Sequence, residues 1–219
     1  SQCFANGDPL IPSQVDVLKK DIDVWRERLC SLSWFMKIVN EHMARRANLE
    51  DNCTGHFWES RFKSQALLDQ RALLSCMAYV DLNPIKAKMA TTPETSEHTC
   101  IKERIDTLKN RTRLKASIEC FVGNKSDSKG LPFFLKDYIE LLDWTGRIIR
   151  NSKRGAINQD LPPVLERLAL DKEAWLILTT QFEQQFGQWV GAEHIVRQMY
   201  SDKQYQRIPN TETPRRLLG

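Results

Sequence analysis

A mainly α-helical fold is predicted for this chain of 219 residues, and three observations predict it. From Val15 to Met43 the apolar positions alternate three and four apart, the stripe of an amphipathic helix. The half after Gly130 repeats that period segment by segment. Only Phe57 to Leu68, aromatic and basic with no helical period, reads as extended.

Taken in order, the stripe Val15, Leu18, Ile22, Trp25, Leu29, Leu32, Met36, Val39 and Met43 is interrupted by Ser31 and Ser33, which are good capping residues. Two helices are therefore expected, Gln14–Cys30 and Trp34–Asn48. A homodimeric coiled coil is the rival reading of this register, but the flanking charges show no tidy complementarity. Asn52 to Gly55 is a turn. The extended segment after it needs a partner for its backbone: a hairpin strand, another subunit, or a sheet outside this chain. Asp69 caps a helix over Gln70–Leu82, and Pro84 opens a short helix through Met89. Thr91 to His98 is a polar loop, and Ile101 to Leu114 a basic helix.

The stretch Val122 to Gly130 has linker composition. Beyond it, Leu135, Ile139, Leu142 and Ile149 define one helix, and Asp160 or Leu161 to Leu168 a short second. Asp171 caps a third, with Trp175, Leu178, Phe182, Phe186 and Trp189 on its apolar face. Gly191 begins a final helix of about three turns, ahead of a polar, basic tail from Asp202 expected to be loosely held. The domains expected are 1–115, a linker over 116–130, and a helical domain over 131–219.

Composition sets the outer bounds. With 41% hydrophobic residues, 27% charged, nine Gly and nine Pro, neither disorder nor a fibrous repeat is indicated. No apolar run is long enough to span a bilayer. Six cysteines lack any Cys-x-x-Cys spacing and no secretory segment precedes them, so they are expected to be reduced thiols in a cytoplasm. The chain opens on Ser1 rather than Met, and loss of an upstream part is the expectation drawn from that.

The net charge of +4 would not by itself imply nucleic acid. Its distribution says more. Between Ile101 and Lys115 six basic residues face two acids, and between Thr145 and Arg154 four basic residues occur with no acid. These are candidate phosphate contacts, set against the commoner reading of a solvated helix face.

Gly-rich phosphate loops, a Gly-x-Ser-x-Gly elbow and a Cys/His set of zinc spacing are all absent from the sequence. What remains is Tyr79 with Asn83, four apart and so on one helix face: a phenol beside an amide. With an ordinary pKa of about 10, a tyrosine attacking phosphate needs a polarised phosphodiester and help in losing its proton. An Asn oxygen is an acceptable hard ligand for magnesium or manganese. From spacing alone, a packed ring and a helix-capping Asn before Pro84 are the commoner reading.

Three segments add to this: Trp34-Phe35-Met36, Gly55-His56-Phe57-Trp58-Glu59-Ser60-Arg61-Phe62-Lys63-Ser64-Gln65-Ala66-Leu67-Leu68-Asp69, and Met77-Ala78-Tyr79-Val80-Asp81-Leu82-Asn83-Pro84-Ile85-Lys86-Ala87. Together they resemble the C-terminal part of REP-associated tyrosine transposases, relatives of the single-tyrosine HUH insertion-sequence enzymes. The resemblance covers roughly residues 25 to 110, and the helical tail is similar to an extension of a longer subgroup. It implies attack of Tyr79 on single-stranded DNA, giving a 5′-phosphotyrosine and a free 3′-hydroxyl. It also implies a metal contact from Asn83, with DNA or sheet-edge contacts from Arg61 and Lys63.

The family's His-hydrophobic-His pair, which holds the metal, does not occur in this sequence. The fold expected is thus a helical remnant of a transposase catalytic domain with one short extended segment, followed by an all-helical domain. The function expected is part of a transposase acting on single-stranded or hairpin DNA. Magnesium or manganese would serve the complete parent enzyme, with none held by this chain, which is expected not to cleave DNA unaided. The alternative is a helical module without catalysis that binds nucleic acid or a protein, using Arg147, Arg150, Lys153 and Arg154.

Overall fold

The computed structural model describes residues 11–115, 117–123, 129–150, 161–202 and 211–219. They are mainly helical, with one small parallel sheet. The chain forms two compact units, Ser1–Lys63 and Ser64–Gly219. No helix among the described residues is long and apolar enough to cross a membrane.

In the first unit, helix α1 spans Pro12–Leu29 and α2 spans Leu32–Glu50. α1 starts two residues ahead of the expected Gln14 because Pro12 fits a first helical turn. The break falls where the serines placed it: Ser31 caps α2, its Oγ accepting from the Trp34 N–H at 3.4 Å. After the turn at Asn52, the Trp58 indole N–H donates to the Asn40 carbonyl at 2.9 Å, and Asn48 donates to the Gly55 carbonyl at 3.2 Å. No residue of either helix is buried.

The second unit holds the core. Strand β1 (Ala66–Leu67) leads into α3 (Gln70–Asp81), then α4 (Asn83–Lys86), a 3-10 turn (Pro93–Thr95) and α5 (Cys100–Asn110). Next come α6 (Leu135–Arg150), α7 (Pro163–Arg167) and α8 (Lys172–Gln185), then strand β2 (Trp189–Val190), α9 (Glu193–Asp202) and α10 (Glu212–Leu218). Asp69 and Asp171 cap as expected, each accepting a 2.8 Å bond from a backbone N–H three residues on. α3 packs along α8, α4 packs on α6, and α10 packs on α8 and α9. Leu74, Ala78, Leu141, Leu142, Trp175, Leu178 and Phe182 belong to one buried cluster. Across it the Trp175 indole N–H donates to Thr145 Oγ1 at 2.9 Å.

Four expectations are corrected. The extended segment is much shorter than Phe57–Leu68, and its partner is neither a hairpin nor an external sheet. Ala66 and Leu67 pair in parallel with Trp189 and Val190, with N–H bonds of 2.8 Å from Ala66 to the Gln188 carbonyl and from Leu68 to the Val190 carbonyl. Trp189 accordingly lies on β2 rather than on the α8 face. α8 stops at Gln185, and Phe186 is extended at φ −125° and ψ 150°.

The two compact units divide between Lys63 and Ser64, and the stretch 116–130 belongs to the second of them. The described part of that stretch is stitched to the residues leading into α6: Val122 donates to the Leu131 carbonyl at 2.9 Å, and Leu131 donates back to the Cys120 carbonyl at 2.8 Å. Gly130, at φ +149°, permits this approach, since a Cβ there would stand 2.7 Å from the Cys120 carbonyl oxygen. The end of the tail is also held. Pro214, Leu217 and Leu218 of α10 are buried, and Arg71 donates to the Leu218 carbonyl.

Candidate functional site

Tyr79 sits near the C-terminal end of α3, one turn before Asn83 opens α4. Its ring is half-buried and lies 5.9 Å, centroid to centroid, from that of Phe182 on α8. The Lys86 ammonium stands 3.8 Å from the centre of the Tyr79 ring, within cation–π range. The same ammonium donates to Asn83 Oδ1 at 2.9 Å. From α8, the Glu183 carboxylate comes close enough to act on the Tyr79 phenol. The sequence thus brings Tyr79 and Asn83 to one face, as expected, and the fold adds Lys86 and Glu183.

Electrostatics follow from this packing. Burial first, and the Glu183 carboxylate second, push the Tyr79 phenol above its ordinary value. Burial also raises the Cys76 thiol, with Glu183 adding to the rise. For Lys86 burial is again the larger effect and lowers its pKa, while Glu183 opposes that. The resting phenol is therefore held neutral, with a carboxylate near it.

The donor set does not by itself fit a divalent cation. Asn83 Oδ1 is engaged by an ammonium, and a dication there would have to displace Lys86 against like-charge repulsion. Among the described residues no group of three or more His, Cys, Asp or Glu comes together to hold a metal.

The remaining site residues lie elsewhere. In the first unit, Arg61 is exposed, with a 3.4 Å bond to Ser33 Oγ and its guanidinium 5.7 Å from the Phe62 ring, and Lys63 is exposed. In the second, Arg147 is paired with Asp143 one turn back, and Arg150 is exposed in the last turn of α6. Lys153 and Arg154 fall outside the described residues. The basic stretch 101–115 is less available than its count of cations suggests. Lys102 pairs with Asp106 at 2.8 Å, Lys115 pairs with Glu103 at 2.9 Å, and Arg104 is buried with its guanidinium 4.6 Å from the Phe121 ring.

Glu183 and Lys86 are the members of the cluster that sequence reasoning did not single out. Lys86 had a signal, because it lies three residues from Asn83 and so within reach of its side chain. Glu183 had none, because only the packing of α8 on α3 brings it to the phenol.

No family model, curated protein or solved structure matches the chain.

Proposed function

We propose that this chain carries the tyrosine-bearing part of a DNA strand transferase of the REP-associated tyrosine transposase kind, with Tyr79 as the nucleophile. The observation that carries this reading is the half-exposed Tyr79 ring with the Lys86 ammonium 3.8 Å from its centre and bonded to Asn83 Oδ1 at 2.9 Å, beside the Glu183 carboxylate that raises the phenol pKa. It joins the motif resemblance around Tyr79 and Asn83. As the Tyr79 oxygen attacks a single-stranded DNA phosphorus, Glu183 accepts the phenol proton. The bond from phosphorus to the 3′-oxygen breaks, a 5′-phosphotyrosine forms, and the departing 3′-oxygen takes a proton from solvent. Rejoining reverses the sequence, with an incoming 3′-hydroxyl displacing Tyr79. Lys86, next to the ring, adds positive charge where the phosphate would lie. The raised phenol pKa supports the expectation that this chain alone does not cleave.

The test uses the longest gene product containing the chain, incubated with single-stranded hairpin DNA and magnesium or manganese, then run on a denaturing gel. A covalent adduct that disappears in Tyr79→Phe is the expected result. Absence of an adduct, with DNA binding intact, would overturn strand transfer.

A second reading, a nucleic-acid-binding module without chemistry, draws on the same geometry. Asn83 held by Lys86 and a phenol kept protonated describe a site at rest as well as one that has lost its reaction. Salt-sensitive DNA binding that survives Tyr79→Phe, without an adduct in any form, is the result that favours it.

A further inference from the structure

The first unit gathers cations around one indole. The Arg28 guanidinium, in the last turn of α1, stands 4.3 Å from the centre of the Trp34 ring, and the Lys37 ammonium stands 4.6 Å from the same ring. Arg61 reaches Ser33 next door, at 3.4 Å. Ser33, Trp34, Lys37, Asn40, Arg61 and Phe62 line a groove of about 350 Å³.

Three of the first unit's acids are paired with other arginines. Asp23 pairs with Arg26 at 3.1 Å, Glu41 pairs with Arg45, and Glu50 pairs with Arg46 at 2.9 Å. Among the described residues no carboxylate forms an ion pair with Arg28, Lys37 or Arg61. Lys37 and Arg61 line the groove and Arg28 stands on the same indole as Lys37; like charges gathered in this way repel each other, and a bound anion turns that repulsion into attraction. The indole fixes two of the three by cation–π contact, so little side-chain freedom is lost when an anion arrives. Phe62 gives the groove an apolar wall, and cations interleaved with aromatic faces are the features that track a single-stranded backbone.

We propose that this groove binds the phosphodiester backbone of single-stranded DNA, with Arg28, Lys37 and Arg61 on phosphates and Phe62 against a sugar or base. Trp34 is a positioning residue that holds the first two cations. The inference rests on DNA being the substrate, as the strand-transfer reading has it, but not on the chemistry at Tyr79.

The experiment is fluorescence anisotropy of the full chain with a labelled single-stranded oligonucleotide of about 15 nucleotides, titrated at several salt concentrations. In the double variant Arg28→Glu, Lys37→Glu, affinity at low salt is expected to fall about tenfold or more. The slope of log K against log salt is expected to shrink by about 1.4, from two lost phosphate contacts at roughly 0.7 each. Trp34→Leu is expected to weaken binding while leaving the cations present, and Lys136→Glu, at an exposed lysine paired with Glu140 on α6, is expected to leave the slope unchanged.

An unaltered affinity and slope in the double variant, with circular dichroism showing the fold intact, would overturn the groove. Equal affinity for duplex DNA or inorganic polyphosphate would overturn the single-strand assignment. Either outcome leaves the Tyr79 adduct to be judged by its own gel, and a missing adduct leaves the groove to be judged by anisotropy.

Discussion

The Tyr138 hydroxyl donates a 2.7 Å hydrogen bond to Asp81 Oδ2 inside the second unit, while Asp81 Oδ1 accepts from the Ile101 N–H at 3.3 Å. One carboxylate thus ties the end of α3 to the middle of the chain at α6 and to the first turn of α5. Asp81 is also two residues from the candidate nucleophile, so this tie helps fix where the Tyr79 helix ends. Tyr138→Phe would leave the carboxylate one donor short and is expected to cost about 1–3 kcal/mol in urea unfolding at neutral pH.

Burial raises the Asp81 pKa above its ordinary value, and the donors together with Arg104 only partly oppose this. A carboxyl raised in the folded state contributes stability below its unfolded pKa of about 3.9, and loses it as pH rises through the folded value. The stability of the parent relative to Asp81→Asn is therefore expected to fall as pH climbs from below about 4, then level off. Unfolding measured across that range checks it, and a constant difference would count against an ionising, buried Asp81.

Glu183→Gln removes a negative charge that helps raise the Tyr79 pKa. The phenol is expected to ionise at lower pH in that variant while staying above its ordinary value, because burial, the larger cause, remains. Ultraviolet titration of tyrosinate, with Tyr79→Phe subtracted to isolate the signal, measures this. No movement would place Glu183 outside the reach of the phenol.

Asp69 serves two partners, with Oδ1 on the Ala72 N–H at 2.8 Å and Oδ2 on the Ala192 N–H at 2.6 Å. Loss of a helix cap and of a bond to the segment after β2 should make Asp69→Ala destabilising by about 2 kcal/mol. Gly191→Ala should destabilise for a steric reason, since a Cβ there would stand 2.9 Å from Asp69 Oδ2 and 3.0 Å from Leu68 Cβ. Chemical denaturation of both variants tests the junction from either side.

Arg215 and Arg197 hold the Glu193 carboxyl down at about 2. A depressed carboxylate stabilises above its unfolded pKa, and the contribution is lost as pH falls through the folded value. Glu193→Gln is expected to loosen α10, seen as faster amide exchange at Leu217 and Leu218 at neutral pH. The difference from the parent should shrink between the ordinary carboxylate range and about pH 2. Equal exchange at neutral pH would mean that apolar burial alone holds the tail.

Local signals carried much of the fold. The 3.6-residue apolar period, with Ser31, Asp69 and Asp171 as caps, marked α1, α2, α3, α6 and α8 to within a few residues. Those signals are written in neighbouring residues, since a cap acts within one turn and a stripe within a few. The pairing of Tyr79 with Asn83 was legible for the same reason, because helical spacing alone sets it.

Neighbouring residues along the chain were therefore enough to set the helices, their starts, and the face shared by Tyr79 and Asn83. Long-range packing settled the partner of Ala66 and Leu67, the end of α8 before Trp189, the anchoring of Leu217 and Leu218, and the arrival of Glu183 at the phenol. Each of these joins residues far apart in the chain. A two-residue strand or a seven-residue terminal helix has too few local contacts to offset its ordering entropy, so its place is set by the distant surface that buries it.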